Sequence, residues 1–323
     1  MTMHLILFLV GLIAVVLAGA ALFTWRTARR IETFMPPGGR FIDVPGARLH
    51  VREAGSGPAI LLVHGLAGQL AHYNYGVLDA LARDYRVIAV DRPGSGYSTR
   101  STPADLATQA AALSALIATL GLGKPLVVGH SLGGALALKL AHDHPQRVGA
   151  LALIAPFTHT PKDYPKVFEA LTIRSLFMRK LVAWTMATPA SIARSAKVLP
   201  VIFGPEPVPA DFATKGGGLH SLRPSQFLAA SADMQALPEV MPELEQRYGE
   251  LRLPVRVLFA KGDRLLDWQA NGQALVDKVP GSTLTVVEGG HMLPITQPEE
   301  TSSFIRSAAE ELFGPAEAQK TAS

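Results

Sequence analysis

The chain has 323 residues, 48% of them hydrophobic, and a mean hydropathy of +0.23: enough for one large domain with an insertion, and apolar for a soluble enzyme. Its net charge of +4, with a pI near 9.4, comes from scattered Lys and Arg rather than the clustered cations and stacking aromatics that a nucleic-acid interface requires. It contains no cysteine, which removes disulfide frameworks and thiolate metal sites and is compatible with either redox compartment. Leu5 to Phe23 runs for about nineteen residues without a charge, roughly 28 Å as a helix, close to the hydrocarbon thickness of a bilayer. Trp25 follows as an interface anchor, then Arg26, Arg29 and Arg30. A cleaved signal peptide would carry its basic residues before the apolar core, yet Met1 to His4 has no Lys or Arg, although Ala18-Gly19-Ala20 could serve a peptidase. Residues 1–30 are therefore expected to form a single-pass anchor with its juxtamembrane segment.

After a hinge at Pro36-Pro37-Gly38-Gly39, Phe41–Val44 and Ala47–Arg52 read as an antiparallel pair. Ala59–Val63 is a short buried strand feeding His64-Gly65-Leu66-Ala67-Gly68, a loop whose glycines let amides turn inward. Arg86–Val90 ends in Asp91-Arg92-Pro93-Gly94-Ser95-Gly96, read as a packed turn, and a helix follows over Pro103–Leu120. Leu126-Val-Val-Gly129-His130-Ser131-Leu132-Gly133-Gly134 then sets a Gly-x-Ser-x-Gly between an apolar strand and a helix over Leu132–His142, the context of a nucleophile elbow. No acid directly follows the Leu151–Ala155 strand, and His142 and His144, two apart near a helix end, do not make a metal site.

From residue 157 to 247 the strand–helix rhythm stops. A Pro-rich apolar segment intervenes, with Phe168, Leu171, Phe177, Met178, Leu181, Trp184, Met186, Val201, Ile202 and Phe203. Most of these should pack the insertion; together they point to an apolar chamber. Gly216-Gly217-Gly218 follows Lys215 rather than preceding a Gly-Lys-Ser/Thr, so it is no phosphate loop and is expected to loosen the insertion. The strand Val255–Ala260 runs into Asp263, and Asp267, four residues on and before a helix over Trp268–Lys278, reads better as an N-cap. A last strand, Thr283–Val287, precedes Glu288-Gly289-Gly290-His291, then a helix over Pro298–Phe313 and a polar tail, 314–323, expected to be disordered.

A serine hydroxyl needs a base within hydrogen-bond reach and a carboxylate to orient that base. Ser131, Asp263 and His291 supply these in the order Ser, Asp, His, each after a strand. His64 and His130 adjoin the site and are read as loop supports. On these motifs the chain resembles the α/β-hydrolase superfamily, specifically serine esterases and lipases with a helical cap, over roughly residues 41–313. It is similar to membrane-anchored bacterial phospholipase A and monoacylglycerol-lipase-like enzymes. The resemblance implies a mostly parallel eight-stranded sheet flanked by helices, with a core of 41–156 and 248–313 and a cap of 157–247. It implies Ser131 as nucleophile, His291 as general base and then acid, Asp263 as orienting acid, and the Leu66 and Leu132 amides as oxyanion hole. Related dehalogenases and epoxide hydrolases carry aspartate where this chain has Ser131. No cofactor or metal is implied. The expected partners are a lipid-like or hydrophobic ester, the bilayer and, as one option, a second copy of the chain; nucleic acid is not expected. The expected location is the inner, cytoplasmic membrane. The arginine flank places the enzyme in the cytoplasm by the positive-inside rule, while some enzymes it resembles face the periplasm, so both faces stay open. A small cyclic ester or a carbon–carbon bond is the alternative substrate for the same triad, and a non-catalytic scaffold the alternative class.

Overall fold

A computed structural model describes residues 2–315, so the tail expected to be disordered lies almost wholly outside the described residues. The strands are β1 (Arg40–Val44), β2 (Ala47–Ala54), β3 (Ala59–Val63), β4 (Arg86–Val90), β5 (Thr99–Arg100), β6 (Leu126–His130), β7 (Ala150–Ile154), β8 (Val255–Ala260) and β9 (Thr283–Val287). The helices are α1 (Thr2–Phe34), α2 (Val77–Leu81), α3 (Leu106–Thr119), α4 (Leu132–Asp143), α5 (Leu176–Val182), α6 (Thr188–Phe203), α7 (Pro224–Gln246), α8 (Ala274–Val276), α9 (Leu293–Thr296) and α10 (Pro298–Phe313).

The described strands form one sheet in the order β1-β2-β4-β3-β6-β7-β8-β9, with the two-residue β5 hydrogen-bonded to β2. Pairing is antiparallel from β1 to β4 and parallel from there to β9. β3, β6 and β7 are buried at every position, as continuous apolar runs covered on both faces must be. One face packs α3, α4 and α7 through Leu113, Leu136, Met241 and Leu244; the other packs α2 and α10 through Leu78, Leu81 and Ile305. In the parallel register Val63 lies beside both Val90 and Gly129, and His130 beside Ile154. His64, Asp91, Ser131 and Ala155 therefore leave the sheet along one edge, where parallel α/β sheets carry their sites.

Two helices differ from their sequence pattern for local reasons. α3 starts at Leu106 rather than Pro103 because the Asp105 carboxylate caps it, accepting the Thr108 N–H at 2.9 Å. The run expected as a helix over Trp268–Lys278 is a wide π-type turn, Gln269–Gln273, and the short α8. Gly272 lies against the Phe259 ring there, where a Cβ would come within 2.8 Å. Thr158 is tied to Asn271 from across the cap junction at 2.8 and 3.1 Å.

The segment between β7 and β8 holds a 3-10 turn (Lys166–Thr172), α5, a π-type turn (Ala183–Ala187), α6, a second 3-10 turn (Gly218–Leu222) and α7. The glycine triplet does not loosen it. The Phe212 ring lies against Gly216 and Gly218, the Gly218 N–H donates to the Phe212 carbonyl, and Gly217, at φ +72°, receives the Gln69 amide on its carbonyl at 2.5 Å. These glycines permit close approach rather than motion.

α1 is long and apolar enough to cross a membrane, with Leu5, Ile6, Phe8, Ile13 and Val16 exposed. Its carboxyl half docks on the segment between β7 and β8 through Thr24, Ala28 and Ile31, which are buried, and through the ion pair Glu32–Arg223.

Candidate active site

Ser131 stands at the junction of β6 and α4 with φ +53° and ψ −122°, a combination that a non-glycine residue adopts only when its surroundings hold it there. The surroundings do so through backbone: Ser131 N–H donates to the Ile154 carbonyl, and the Ser131 carbonyl accepts from Gly134 and Phe157. The glycines are obligatory. A Cβ on Gly129 would stand 2.4 Å from the Gly133 carbonyl oxygen, and one on Gly133 would stand 2.4 Å from that of Val63. The turn is thus compressed against β3, and the Ser131 side chain is presented to a cavity.

His291 follows β9 and borders the same cavity. Its Nδ1–H donates to Asp263 Oδ2 at 2.7 Å, and the second carboxylate oxygen accepts the amides of Leu265 and Leu266 at 2.8 and 3.0 Å. With Nδ1 as donor, Nε2 is left with its lone pair, the tautomer a general base needs. Asp267 does something else: its carboxylate accepts the Ala270 N–H at 2.7 Å and caps the wide turn. Of the two carboxylates weighed in the sequence, the structure brings Asp263 to the histidine.

His130 Nε2 donates to the His291 carbonyl at 2.9 Å and so holds the loop that carries the base. Burial, then the neighbouring His291, push its pKa well below the ordinary range, and it stays neutral. Asp91, at the end of β4, is buried and bonded to His50 and to the amides of Leu70 and Tyr97, the packed turn expected of it.

The loop after β3 holds an arrangement not foreseen in the sequence. The Gly65 carbonyl accepts from His64 Nδ1 at 2.8 Å, from Arg92 Nη2 at 3.1 Å and from the Gly68 amide at 3.2 Å. A trans peptide is planar with its C=O and N–H opposed, so clamping this oxygen on one side aims the Leu66 N–H to the other. Leu66 and Leu132 both border the cavity with Ser131. His64 takes its tautomer from the same knot, since Nε2 accepts the Arg92 amide at 2.9 Å. Burial, then the Arg92 charge, hold its pKa well below the ordinary range, as an acceptor role demands.

Arg92 is fully buried. Its guanidinium also reaches the His64 carbonyl, Gln109 and, at 2.9 Å, Asp233 of α7, which Arg100 meets at 3.0 Å. A buried ion cluster therefore ties the loop of Leu66 to the helix that covers it. Arg92 sits in the Asp91–Gly96 turn and Asp233 lies in an unremarkable stretch of α7, so nothing short of the fold joins them.

The cavity is lined almost wholly by apolar groups: Leu66, Leu132, Phe157, Tyr164, Phe168, Met234, Leu237 and Leu266. Among the described residues no Lys or Arg borders it. Of the cap residues singled out in the sequence, Phe168 lines it, Leu171 packs against the core beside it, and Phe203 is buried with Met292 and Ile295. Phe177, Met178, Trp184 and Met186 instead face outward, and of the elements that carry them the Ala183–Ala187 turn lies against α1.

A family model for the alpha/beta hydrolase fold matches residues 58–191, which span the Leu66 loop, the elbow and the start of the cap. The chain has the α/β-hydrolase fold. It is 40% identical over 119 residues to a dihydrolipoyllysine-residue acetyltransferase component of an acetoin cleaving system from Cupriavidus necator, of whose length it spans 32%. It is 26% identical to a 2-hydroxy-6-oxo-6-phenylhexa-2,4-dienoate hydrolase from Burkholderia cepacia, with 74% of this chain and 82% of that one covered. A solved membrane phospholipase A, a bacterial virulence factor, superposes with a TM-score of 0.68 at 23% identity, covering 97% of this chain and 99% of its own, a span that takes in most of α1. At that identity the likeness is one of fold.

Proposed function

We propose that this α/β hydrolase is a membrane-anchored serine carboxylic-ester hydrolase that cleaves acyl esters of the monoacylglycerol, lysophospholipid or phospholipid class. The observation that carries the reading is the meeting of a strained Ser131 and an Asp263-bonded His291 at the wall of an apolar, cation-free cavity, in a chain whose first helix can span a bilayer.

His291 Nε2 takes the Ser131 proton as Oγ attacks the ester carbonyl. The carbonyl oxygen gains negative charge and is met by the Leu66 and Leu132 amides, the second at the first turn of α4, where the helix dipole assists. The tetrahedral intermediate collapses, the alcohol leaves with the proton from His291, and the acyl group stays on Ser131. Water, deprotonated by His291, then releases the acid. Asp263 keeps the imidazole in the required tautomer and stabilises its charged form.

The docking of Thr24, Ala28 and Ile31 and the Glu32–Arg223 pair support α1 as a retained part of the folded protein rather than a discarded leader. The cytoplasmic membrane is the location that fits it. A dienoate of the kind named for the Burkholderia relative is anionic, and a cavity without a cation favours a neutral acyl chain instead. The test is hydrolysis of p-nitrophenyl esters from acetate to palmitate by detergent-purified protein. A preference for medium or long chains, lost in Ser131→Ala, is the expected result; Ser131-dependent activity confined to acetate contradicts the lipid reading.

A further inference from the structure

We infer that the outer face of the cap is itself a membrane-binding surface, seated in the lipid–water boundary of an anionic bilayer beside α1. The inference rests on α1 as a membrane span and goes beyond it, because it assigns the cap a lipid contact of its own.

The first observation is the depth at which the cap meets the anchor. Along α1 the partly or fully covered positions are Leu17, Ala20, Ala21, Thr24, Thr27, Ala28, Ile31 and Glu32, a stripe at spacings of three and four on an otherwise exposed helix. Helical residues at those spacings share one face. The stripe starts inside the uncharged run that ends at Phe23, so the cap lies alongside about 9 Å of it at 1.5 Å per residue. The Gly218–Leu222 turn belongs to the far end, where Arg223 pairs with Glu32 and His220 approaches the Met35 carbonyl. The deeper part of the stripe is left to the Ala183–Ala187 turn and α6, both of which contact α1.

The second observation is what those elements present outward. Leu176, Phe177, Met178, Trp184, Met186 and Ile192 are 41–73% exposed, a cluster that water would not favour. If Leu5–Phe23 spans the hydrocarbon, this flank reaches the zone in which interfacial helices bury their apolar side, roughly 5–10 Å into the boundary. The third is charge. Residues 174–197 carry Arg174, Arg179, Lys180, Arg194 and Lys197 and no Asp or Glu. Cations interleaved with apolar groups fit anionic headgroups. An apolar face continuous with a spanning helix and rimmed by one sign of charge matches a bilayer better than a protein partner.

The test follows Trp184 in the full chain. Trp25→Phe and Trp268→Phe, on a Ser131→Ala background so that turnover plays no part, leave Trp184 as the sole indole. The protein is reconstituted into vesicles of phosphatidylglycerol and phosphatidylcholine whose chains carry bromine near the carbonyl. The expected result is at least a twofold loss of Trp184 emission relative to unbrominated vesicles, with little quenching by aqueous acrylamide, and weaker bromine quenching when phosphatidylglycerol is left out. Co-flotation with the vesicles, combined with full acrylamide quenching and none by bromine, overturns the inference and leaves both the anchor and the hydrolase reading standing. Failure to co-float overturns the anchor and the inference together. Equal quenching with and without phosphatidylglycerol overturns the part assigned to the cations.

Discussion

The elbow and the outer cap are both built from small and apolar residues, yet they are constrained in opposite ways. Around Ser131 almost every atom is fixed by backbone: two glycines whose missing side chains are the only space available, and carbonyls that each have a named donor. Around Trp184 the side chains project outward, and what matters is that they are apolar and interleaved with cations. The first region tolerates no change of shape and the second no change of polarity. Catalysis at the first region and the membrane contact proposed for the second are therefore separable by mutation.

Asp263→Asn makes the sharpest break on the chemical side. It keeps the shape but disfavours the tautomer in which Nδ1 donates, so kcat on a short ester should fall by about 10⁴. Asp267→Asn retains a good cap and should leave kcat within about twofold. Equal losses in the two variants would mean that the Asp263–His291 bond does not orient the base.

Arg92→Gln probes the line between the two regions. By freeing the Gly65 carbonyl it should let the Leu66 amide drift, lowering kcat by about 10- to 100-fold with KM little changed, less than the loss of a whole oxyanion donor. It also leaves Asp233 short of a partner, at a cost of about 3 kcal/mol in stability. Lost stability with an unchanged kcat in the folded fraction would make Arg92 a structural residue and nothing more.

Acid should loosen the core by a smaller amount. Burial is the main cause holding His64 and His130 well below the usual histidine range, and it takes His72 down to about 4. Between about pH 4 and 6.5 the unfolded chain therefore binds more protons than the folded one. Stability is full above about 6.5 and falls as pH drops through that window. A fall in Tm of about 5 °C from pH 7 to pH 5 is the expected reading by calorimetry; a flat profile would mean that these histidines are charged in the fold.

The core strands, the elbow at Ser131 and the Asp263–His291 pairing were legible because each depends on local rules: buried strands as apolar runs, glycine where a Cβ collides, and Ser, Asp and His each just after a strand. The Arg92–Asp233 tie was not legible, since its partners are far apart in sequence and neither carries a local signature. The inserted segment between β7 and β8 was legible as a break in the strand–helix rhythm, but the placement of its apolar side chains was not. Phe177 and Trp184 were expected mainly to pack the insertion, and they are exposed instead. The glycine triplet misled in the same way, as flexibility and close packing leave one sequence mark.

The central claim is that Ser131 is the activated nucleophile. Treating the detergent-purified protein with a fluorophosphonate and mapping the adduct by mass spectrometry tests it most directly. The account predicts a single phosphonylated residue, Ser131, labelled rapidly in the native protein, slowly in Asp263→Asn and not at all in Ser131→Ala. No adduct, or an adduct on another serine, would contradict it.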